Sequence, residues 1–352
     1  MPKNRVKWGI VKLSSIGDVV HALPVAAAIR RAIPDARIEW IVEPPAAALL
    51  QNSPVIDEAI VLDTKACNGA RTRDRLRYLG GFLKEIRRRK YDIVLDLQGL
   101  LKSGVIAKAA GASECYGYDW LREGSQWLVQ RIPARTESVH VVDKLLDVVR
   151  FLDLDPEPVT FPIGLTDLDR DHVDRVLDAS GVESGSFVAI NPAAAWRSKE
   201  WPADRFAAVA DRIARDIGMP VLVLGGQADR AQVDAVRAAA VLDHAYLAGE
   251  FNLREYAEVA RRAAVYVGCD TGPTHVAAAA GAPCVMPMGP TDPARNGPYG
   301  EGHIIIHKGH DCSPCKKREC PDPICMTEIE VDEILDAVYA MWSASIHVVG
   351  AE

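Results

Sequence analysis

Val265-Tyr266-Val267-Gly268-Cys269-Asp270-Thr271-Gly272-Pro273-Thr274-His275-Val276-Ala277-Ala278-Ala279 is the stretch on which the reading of this sequence turns. A β-branched and aromatic run passes through Asp-Thr-Gly-Pro straight into a small-residue helix, predicted over residues 274–280. Pro273 suits a first helical turn, where an N–H would have no partner in any case. The amides of Thr271, Gly272 and Thr274 are then expected to be unpaired, and with the helix dipole they make an anion site. His275 is expected to point back over the same turn. A strand running directly into a helix is the start of a βαβ unit, and the chain repeats that alternation almost throughout.

Around this stretch, the second half has predicted strands at 187–190, 221–224, 245–247, 265–267 and Cys284–Met288. Helices are predicted over 204–216, 231–240, Leu253–Arg262 and 331–342. In the first half, strands are predicted at 7–13, Arg37–Val42, 59–62 and 91–97, and helices at 19–32, 76–89, Leu101–Ala110 and 138–151. Residues 152–165 break the pattern with Pro156, Pro158 and Pro162. The expected domains are therefore 1–160 and 161–352, with the last helix, about 331–345, a candidate to pack back on the first domain. The class is α/β, two similar halves facing across a cleft, with ligands at the carboxyl ends of the strands.

The 352 residues are enough for two cores, and 49% hydrophobic with 25% charged residues is the profile of a folded protein. No apolar run approaches the ~18–20 residues of a membrane span. The charged start, residues 1–8, and Pro24 after it do not resemble a signal peptide, so the expected location is cytoplasmic. Cys67, Cys115, Cys269 and Cys284 are scattered and expected to be reduced. The net charge of −7 hides a basic run: residues 71–90 hold nine Lys or Arg against Asp74 and Glu85. A solvated helix face is one reading; a docking surface for an anionic partner, such as phosphorylated lipid at a membrane surface, is the other.

Other strand-end loops carry polar residues. Ser14-Ser15-Ile16-Gly17-Asp18 follows the first strand; Asp18 is either an ordinary helix cap or a carboxylate that accepts a substrate hydroxyl proton, with His21 one turn on to orient it. An Asp with an ordinary pKa of ~3.9 is a weak base, adequate only if proton transfer is late or if burial raises that value. Asp96-Leu97-Gln98-Gly99-Leu100-Leu101-Lys102-Ser103 ends a buried strand in polar residues. The loop 191–202 is rich in small residues that let amides approach an anion, with Arg197 and Lys199 adding charge. Residues 289–295, Gly-Pro-Thr-Asp-Pro-Ala-Arg, make a third anion-friendly loop of the same domain, so three loops are expected to converge on one phosphate-like ligand. Neither a G-x-G-x-x-G after the first strand nor a G-x-x-x-x-G-K-S/T occurs, which excludes the usual dehydrogenase and P-loop signatures. Cys312, Cys315, Cys320 and Cys325 fall within fourteen residues; the spacing fits a structural zinc, or less readily an iron–sulfur cluster, against a reduced or partly disulfide-bonded loop.

Taken together, these segments resemble the heptosyltransferases of lipopolysaccharide core assembly (glycosyltransferase family 9), most of all those that add the first heptose to a Kdo–lipid A acceptor. The resemblance covers nearly the whole chain. It rests on K-x-S-S-x-G-D-V-x-H-x-L-P from Lys12 to Pro24, D-x-Q-G-L-x-K-S from Asp96, W-x-x-K-x-W-P from Trp196, D-T-G-x-x-H from Asp270 and G-P-T-D-P from Gly289. It implies two Rossmann-like domains in the GT-B arrangement, ADP-heptose as donor, inversion at the anomeric carbon and no catalytic metal or other cofactor. It further implies Asp18 as general base and Lys199 on the diphosphate. Asp270, Thr271, Gly272, Thr274 and His275 would contact the donor sugar and phosphates, Asp229 the ribose and Phe251 the adenine. Ser15, Gly17, His21, Gln98 and Lys102 fall on the acceptor side. Ala194 and Ala195 stand where the family often has hydroxyl side chains, so a phosphate contact there would be made by backbone. The implied partners are the donor, a lipid A–Kdo type acceptor and the anionic cytoplasmic face of the inner membrane; no nucleic acid is implied. The rival readings are another two-domain sugar-nucleotide enzyme, with a different donor or a UDP-sugar epimerase, and a non-catalytic protein organised around the four cysteines.

Overall fold

The computed structural model describes residues 6–66 and 71–349, the side chains of 345–349 excepted. Cys67 and residues 1–5, which entered the sequence expectations, lie outside the described residues. The chain divides after Gly164 into two compact units, each built on a six-stranded sheet. Every strand pair is parallel. Helices shield such sheets from water, which is why the central strands read as near-continuous apolar runs.

The first unit runs β1 (Lys7–Val11), α1 (Ile16–Ala32), β2 (Arg37–Val42), α2 (Pro44–Leu50), β3 (Glu58–Val61), α3 (Thr72–Arg88), β4 (Ile93–Asp96), α4 (Leu101–Ala110), β5 (Glu114–Gly117), β6 (Gln130–Arg131) and α5 (Val141–Phe151). Its strand order is β3-β2-β1-β4-β5-β6. The second unit runs α6 (Asp167–Ala179), β7 (Val188–Asn191), α7 (Ala203–Ile217), β8 (Val221–Gly225), α8 (Arg230–Ala239), β9 (Ala245–Ala248), α9 (Leu253–Arg262), β10 (Val265–Gly268), α10 (Gly272–Ala279), β11 (Cys284–Met288), α11 (Pro293–Asn296), β12 (Ile304–His307), α12 (Ile324–Thr327) and α13 (Val331–Val349). Its order is β12-β11-β10-β7-β8-β9. In each sheet the chain begins at an inner strand, works outward to one edge and returns to the other side. The order therefore reverses between β1 and β4, and between β7 and β10, and the carboxyl ends at such switch points are where α/β sheets hold ligands.

The opposite end of the first sheet is fastened by charge. Glu39 in β2 is fully buried, accepts a hydrogen bond from the Tyr91 hydroxyl at 2.8 Å, and pairs with Lys7, Arg37 and Arg89. One carboxylate thus ties β1, β2 and the start of β4 together. Burial pushes its carboxyl up, but the donors from Lys7, Arg37, Tyr91 and Arg89 outweigh it and hold the group to about 2.

Several elements were not anticipated: α2, β5, β6, α6, β12 and the short α11 and α12. β5 and β6 are half-exposed or exposed and only four and two residues long, too short for alternation to register. α2 opens on two prolines, which read as a breaker although they fit a first turn. α3 begins at Thr72 rather than 76, and α5 at Val141 rather than 138. The α5 difference has a local cause: the His140 ring accepts from the Val142 amide and caps the helix there. α13 packs on α7, β10 and β11 of its own unit, burying Ile334, Leu335 and Val338.

Because the folded Glu39 carboxyl lies below its ordinary value of 4.5, the stability it lends is complete above that value and is lost as pH falls toward 2. Glu39→Gln should therefore lower the thermal unfolding midpoint at pH 7, by a penalty of about 3–5 kcal/mol if the cationic partners are left uncompensated. The gap from the parent protein should close in a series of melts taken down to pH 3 and below.

Candidate active site

At the first switch point, β1 leads into Lys12, Leu13, Ser14 and Ser15 before α1 begins. Groups from the turn after β4 hold this segment. Buried Gln98 accepts through Oε1 from the Leu13 and Ser14 amides at 3.0 and 3.1 Å. Buried Lys12 donates from Nζ to the Leu97 carbonyl at 2.9 Å. Asp96 stiffens that second turn by accepting the Gln98 and Gly99 amides on Oδ1, and burial pushes its carboxyl up. Gly99 sits at φ +71°, a backbone conformation that disfavours side chains.

Asp18 stands in the first turn of α1. Its Oδ2 accepts the Ser15 amide at 3.0 Å and the Ser15 hydroxyl at 2.8 Å, a helix cap. Its Oδ1 lies 3.7 Å from Lys12 Nζ. Capping thus engages one oxygen and leaves the other toward the ammonium. Partial burial pushes the carboxyl up, but Lys12, the Ser15 amide and hydroxyl, and His21 outweigh it and bring it to about 2. The sequence left room for burial to raise this group; Lys12 is the reason the shift has the opposite sign. Gly17 is buried beside it, and Ser15 is exposed. His21 is buried, its ring edge-on to His140 at 5.9 Å. Lys102, on the first turn of α4, is half-exposed and pairs with Glu43 at 3.0 Å.

At the second switch point the turns after β7 and β10 meet in an ion pair. Lys199 Nζ is 2.6 Å from Asp270 Oδ2, and both side chains are almost completely buried. His275 Nε2 is 3.2 Å from Asp270 Oδ1, and the Thr291 hydroxyl, from the loop after β11, donates to Oδ2. Burial pushes the Asp270 carboxyl up, but His275 and Lys199 hold it well below the usual carboxylate range. The three loops expected to converge on a ligand therefore converge on this carboxylate. Lys199 also lies over the Trp196 ring, 4.5 Å from its centroid.

The start of α10 differs in one respect from expectation. The Thr274 amide is not unpaired: it donates to the Thr271 carbonyl at 3.1 Å, and the Thr274 hydroxyl donates to Cys269 O at 2.6 Å. Thr271 is the N-cap, so the helix opens two residues earlier than expected and its first bond runs i to i−3. The amides of Thr271 and Gly272 have no partner among the described residues, and Pro273 brings none. Gly268 is required just before this turn, since a Cβ there would lie 2.8 Å from Thr274 Oγ1 and 2.9 Å from Tyr266.

The remaining residues expected on the donor side lie along the same carboxyl edge. Ala194 is half-buried and Ala195 exposed in the loop after β7. Asp229 precedes α8 and spends Oδ2 on the Gly226 amide at 2.9 Å. Phe251, after β9, is half-buried with its ring 5.9 Å from that of His172. Lys12 and Thr291 were quoted in sequence motifs but given no role. A lysine closing an otherwise apolar strand was the available signal for Lys12; nothing local marked Thr291, whose partner lies 21 residues earlier.

The structure lends no support to a metal at the four clustered cysteines. Among the described residues no group of three or more His, Cys, Asp or Glu side chains is placed to hold an ion. Cys312 is exposed while Cys325 is buried in the core cluster of the second unit, and the Cys320 thiol turns to the Asp322 carbonyl. All four are free thiols, as are Cys115, Cys269 and Cys284. The loop nonetheless braces the site: the Ser198 amide and hydroxyl donate to the Arg318 and Lys317 carbonyls, and the Lys316 amide to Pro290 O.

Residues 80–325 match the family described as glycosyltransferase family 9 (heptosyltransferase). The chain is 28% identical to lipopolysaccharide heptosyltransferase 1 of Pseudomonas aeruginosa, over 94% of this chain and 97% of that one. Among solved structures, a glycosyltransferase family 9 protein of Veillonella parvula superposes with a TM-score of 0.83 at 21% identity, covering 98% and 99% of the two chains. An Escherichia coli heptosyltransferase solved with ADP gives 0.75 at 21% identity over 96% and 100%.

Lys199→Ala should strand the Asp270 carboxylate and cost about 3–5 kcal/mol of stability. Asp270→Asn in the same chain should restore much of that loss. A double-mutant cycle in urea checks it, with a coupling of at least about 1 kcal/mol expected for groups in contact.

Proposed function

We propose, from the premise that the chain belongs to glycosyltransferase family 9 (heptosyltransferase), that it moves a heptose from ADP-heptose to the inner core of lipopolysaccharide, on a Kdo–lipid A or heptosyl-Kdo–lipid A acceptor. The observation that carries the reading is the buried Lys199–Asp270 pair at the β7/β10 switch point, beside the two unpaired amides that open α10. It is a site for an anion next to a fixed carboxylate, which is what a sugar diphosphate needs: charge stabilisation for the phosphates and an acceptor for sugar hydroxyls.

In the proposed reaction an acceptor hydroxyl attacks the anomeric carbon from the face opposite the diphosphate. The carbon–oxygen bond to ADP breaks and the configuration inverts through an oxocarbenium-like state. Lys199 has three donors; one holds Asp270, and the others meet the charge developing on the departing diphosphate together with the Thr271 and Gly272 amides. These groups supply the positive charge that a metal supplies elsewhere. Asp229 reads the ribose, Phe251 covers the adenine, and His275 fixes the orientation of Asp270. Asp18 Oδ1 receives the hydroxyl proton. With its carboxyl at about 2 it is a weak base that is always ionised at neutral pH, so the proton moves late, once bond formation has made the hydroxyl acidic. Ser15, Gly17, His21, Gln98 and Lys102 shape the acceptor side. No described helix is long and apolar enough to cross a membrane, and the reading places the enzyme peripherally on the leaflet that carries the acceptor.

Asp18→Asn should lower kcat by about 10²–10⁴-fold, the usual worth of a positioned base, with ADP affinity unchanged in titration calorimetry. Near-normal turnover would remove the assignment. Lys199→Ala should weaken ADP binding as well as rate. UDP or NAD binding in place of ADP would favour the rival sugar-nucleotide readings. Since a group whose value is depressed to about 2 stays ionised above it, kcat/KM should show no acid limb near pH 4 attributable to Asp18; such a limb, lost in Asp18→Asn, would contradict the geometry.

A further inference from the structure

The first unit holds a second concavity that none of these roles uses as a whole. α3 packs against α4, and between them opens a groove of about 580 Å³. Leu13, Leu62 and Phe82 form its buried side. Leu79 and Leu83 from α3 and Leu101 and Val105 from α4 continue it outward, the last two 48% and 40% exposed. Leu76, one turn before Leu79, is 66% exposed and prolongs the apolar strip into solvent. An aliphatic channel that opens onto protruding leucines is not how a monomer usually finishes its surface.

Its rim is cationic. Lys65, Arg75 and Lys102 line the groove. Lys102 is paired with Glu43, whereas Lys65 and Arg75 make no ion pair among the described residues. Arg71, Arg73 and Arg77 are exposed on the same stretch of α3, whose sole acidic residue there is Asp74. In a chain of net charge −7 this is a local excess of positive charge around an aliphatic slot. A solvated helix face would have no use for the slot, and a buried protein interface would leave the arginines without partners.

We infer that the α3/α4 groove docks the enzyme on an anionic lipid bilayer, taking an acyl chain against Leu79, Leu83 and Val105 while Arg75, Lys65 and the neighbouring arginines meet lipid phosphates. The inference rests on the reading of the acceptor as a lipid-borne saccharide, which it deepens by naming the surface that brings enzyme and lipid together. Neither element suffices alone: one acyl contact or a few charges give only weak adsorption, and the two together give stable peripheral binding.

The full-length chain should sediment with phosphatidylglycerol-containing vesicles and not with pure phosphatidylcholine, and added salt should release it. Each basic residue near an anionic surface is worth about a factor of five in partitioning, so Arg75→Glu should lower it at least that much. Leu76→Asp should lower it by more than about tenfold. Both positions are exposed, so the melting temperature and ADP affinity should stay as in the parent. Equal binding to both vesicle types, or unchanged binding by both variants, overturns the proposal. So does a dimer that Leu76→Asp dissociates while the parent ignores vesicles, which would make the groove a self-association face. Transfer separates this inference from the functional one: Leu76→Asp should lose rate on acylated acceptor in vesicles and keep it on the deacylated soluble acceptor. Failure of the parent on both acceptors would count against the proposed reaction and leave vesicle binding as an independent reading of the groove.

Discussion

Lys199 and Asp270 are far apart in sequence and meet because β7 and β10 are neighbours in the sheet. A buried pair of opposite charges is tolerated only when each satisfies the other and further donors complete the carboxylate. Here His275 and Thr291 complete it, so the turns after β7, β10 and β11 are held by one carboxylate. The same arrangement keeps a cation next to the open amides of α10. Organisation of the loops and the capacity to hold an anion therefore come from a single electrostatic arrangement.

The first unit solves the corresponding problem with hydrogen bonds. Gln98 and Lys12 bridge the turns after β1 and β4, and the ammonium also faces Asp18. The result is a carboxylate that is ionised at neutral pH and partly solvent-accessible, beside a buried lysine. In the second unit the carboxylate is buried and held by Lys199, His275 and Thr291. The two carboxylates stand at non-equivalent strand ends, Asp18 after β1 and Asp270 after β10 (the counterpart of β4), and their environments differ accordingly.

The cysteine-bearing loop shows how a conspicuous motif can serve packing. Its backbone carbonyls fasten Ser198, and Cys325 packs in the core. The basic run at the start of α3 is the reverse case. Read as a string of charges it is unremarkable, and it acquires meaning only from the apolar groove beside it.

The alternation of apolar strands and helices, the two halves and the turns at Asp18 and Asp270 were legible in the sequence, because each depends on residues within one or two turns of one another. The short strands β5, β6 and β12 were not, since four residues or fewer carry no usable period and their pairing is chosen by neighbours distant in the chain. The sequence could nominate Lys199, Asp270 and Asp18 singly, from chain position and residue type. Which of them pair, and in which direction their carboxyls shift, was decided by the strand order. It sets Lys199 against Asp270 across 71 residues of chain, whereas Lys12 meets Asp18 locally within the β1–α1 turn, anchored there on the Leu97 carbonyl after β4; Coulomb interaction depends on such distances in space and on burial.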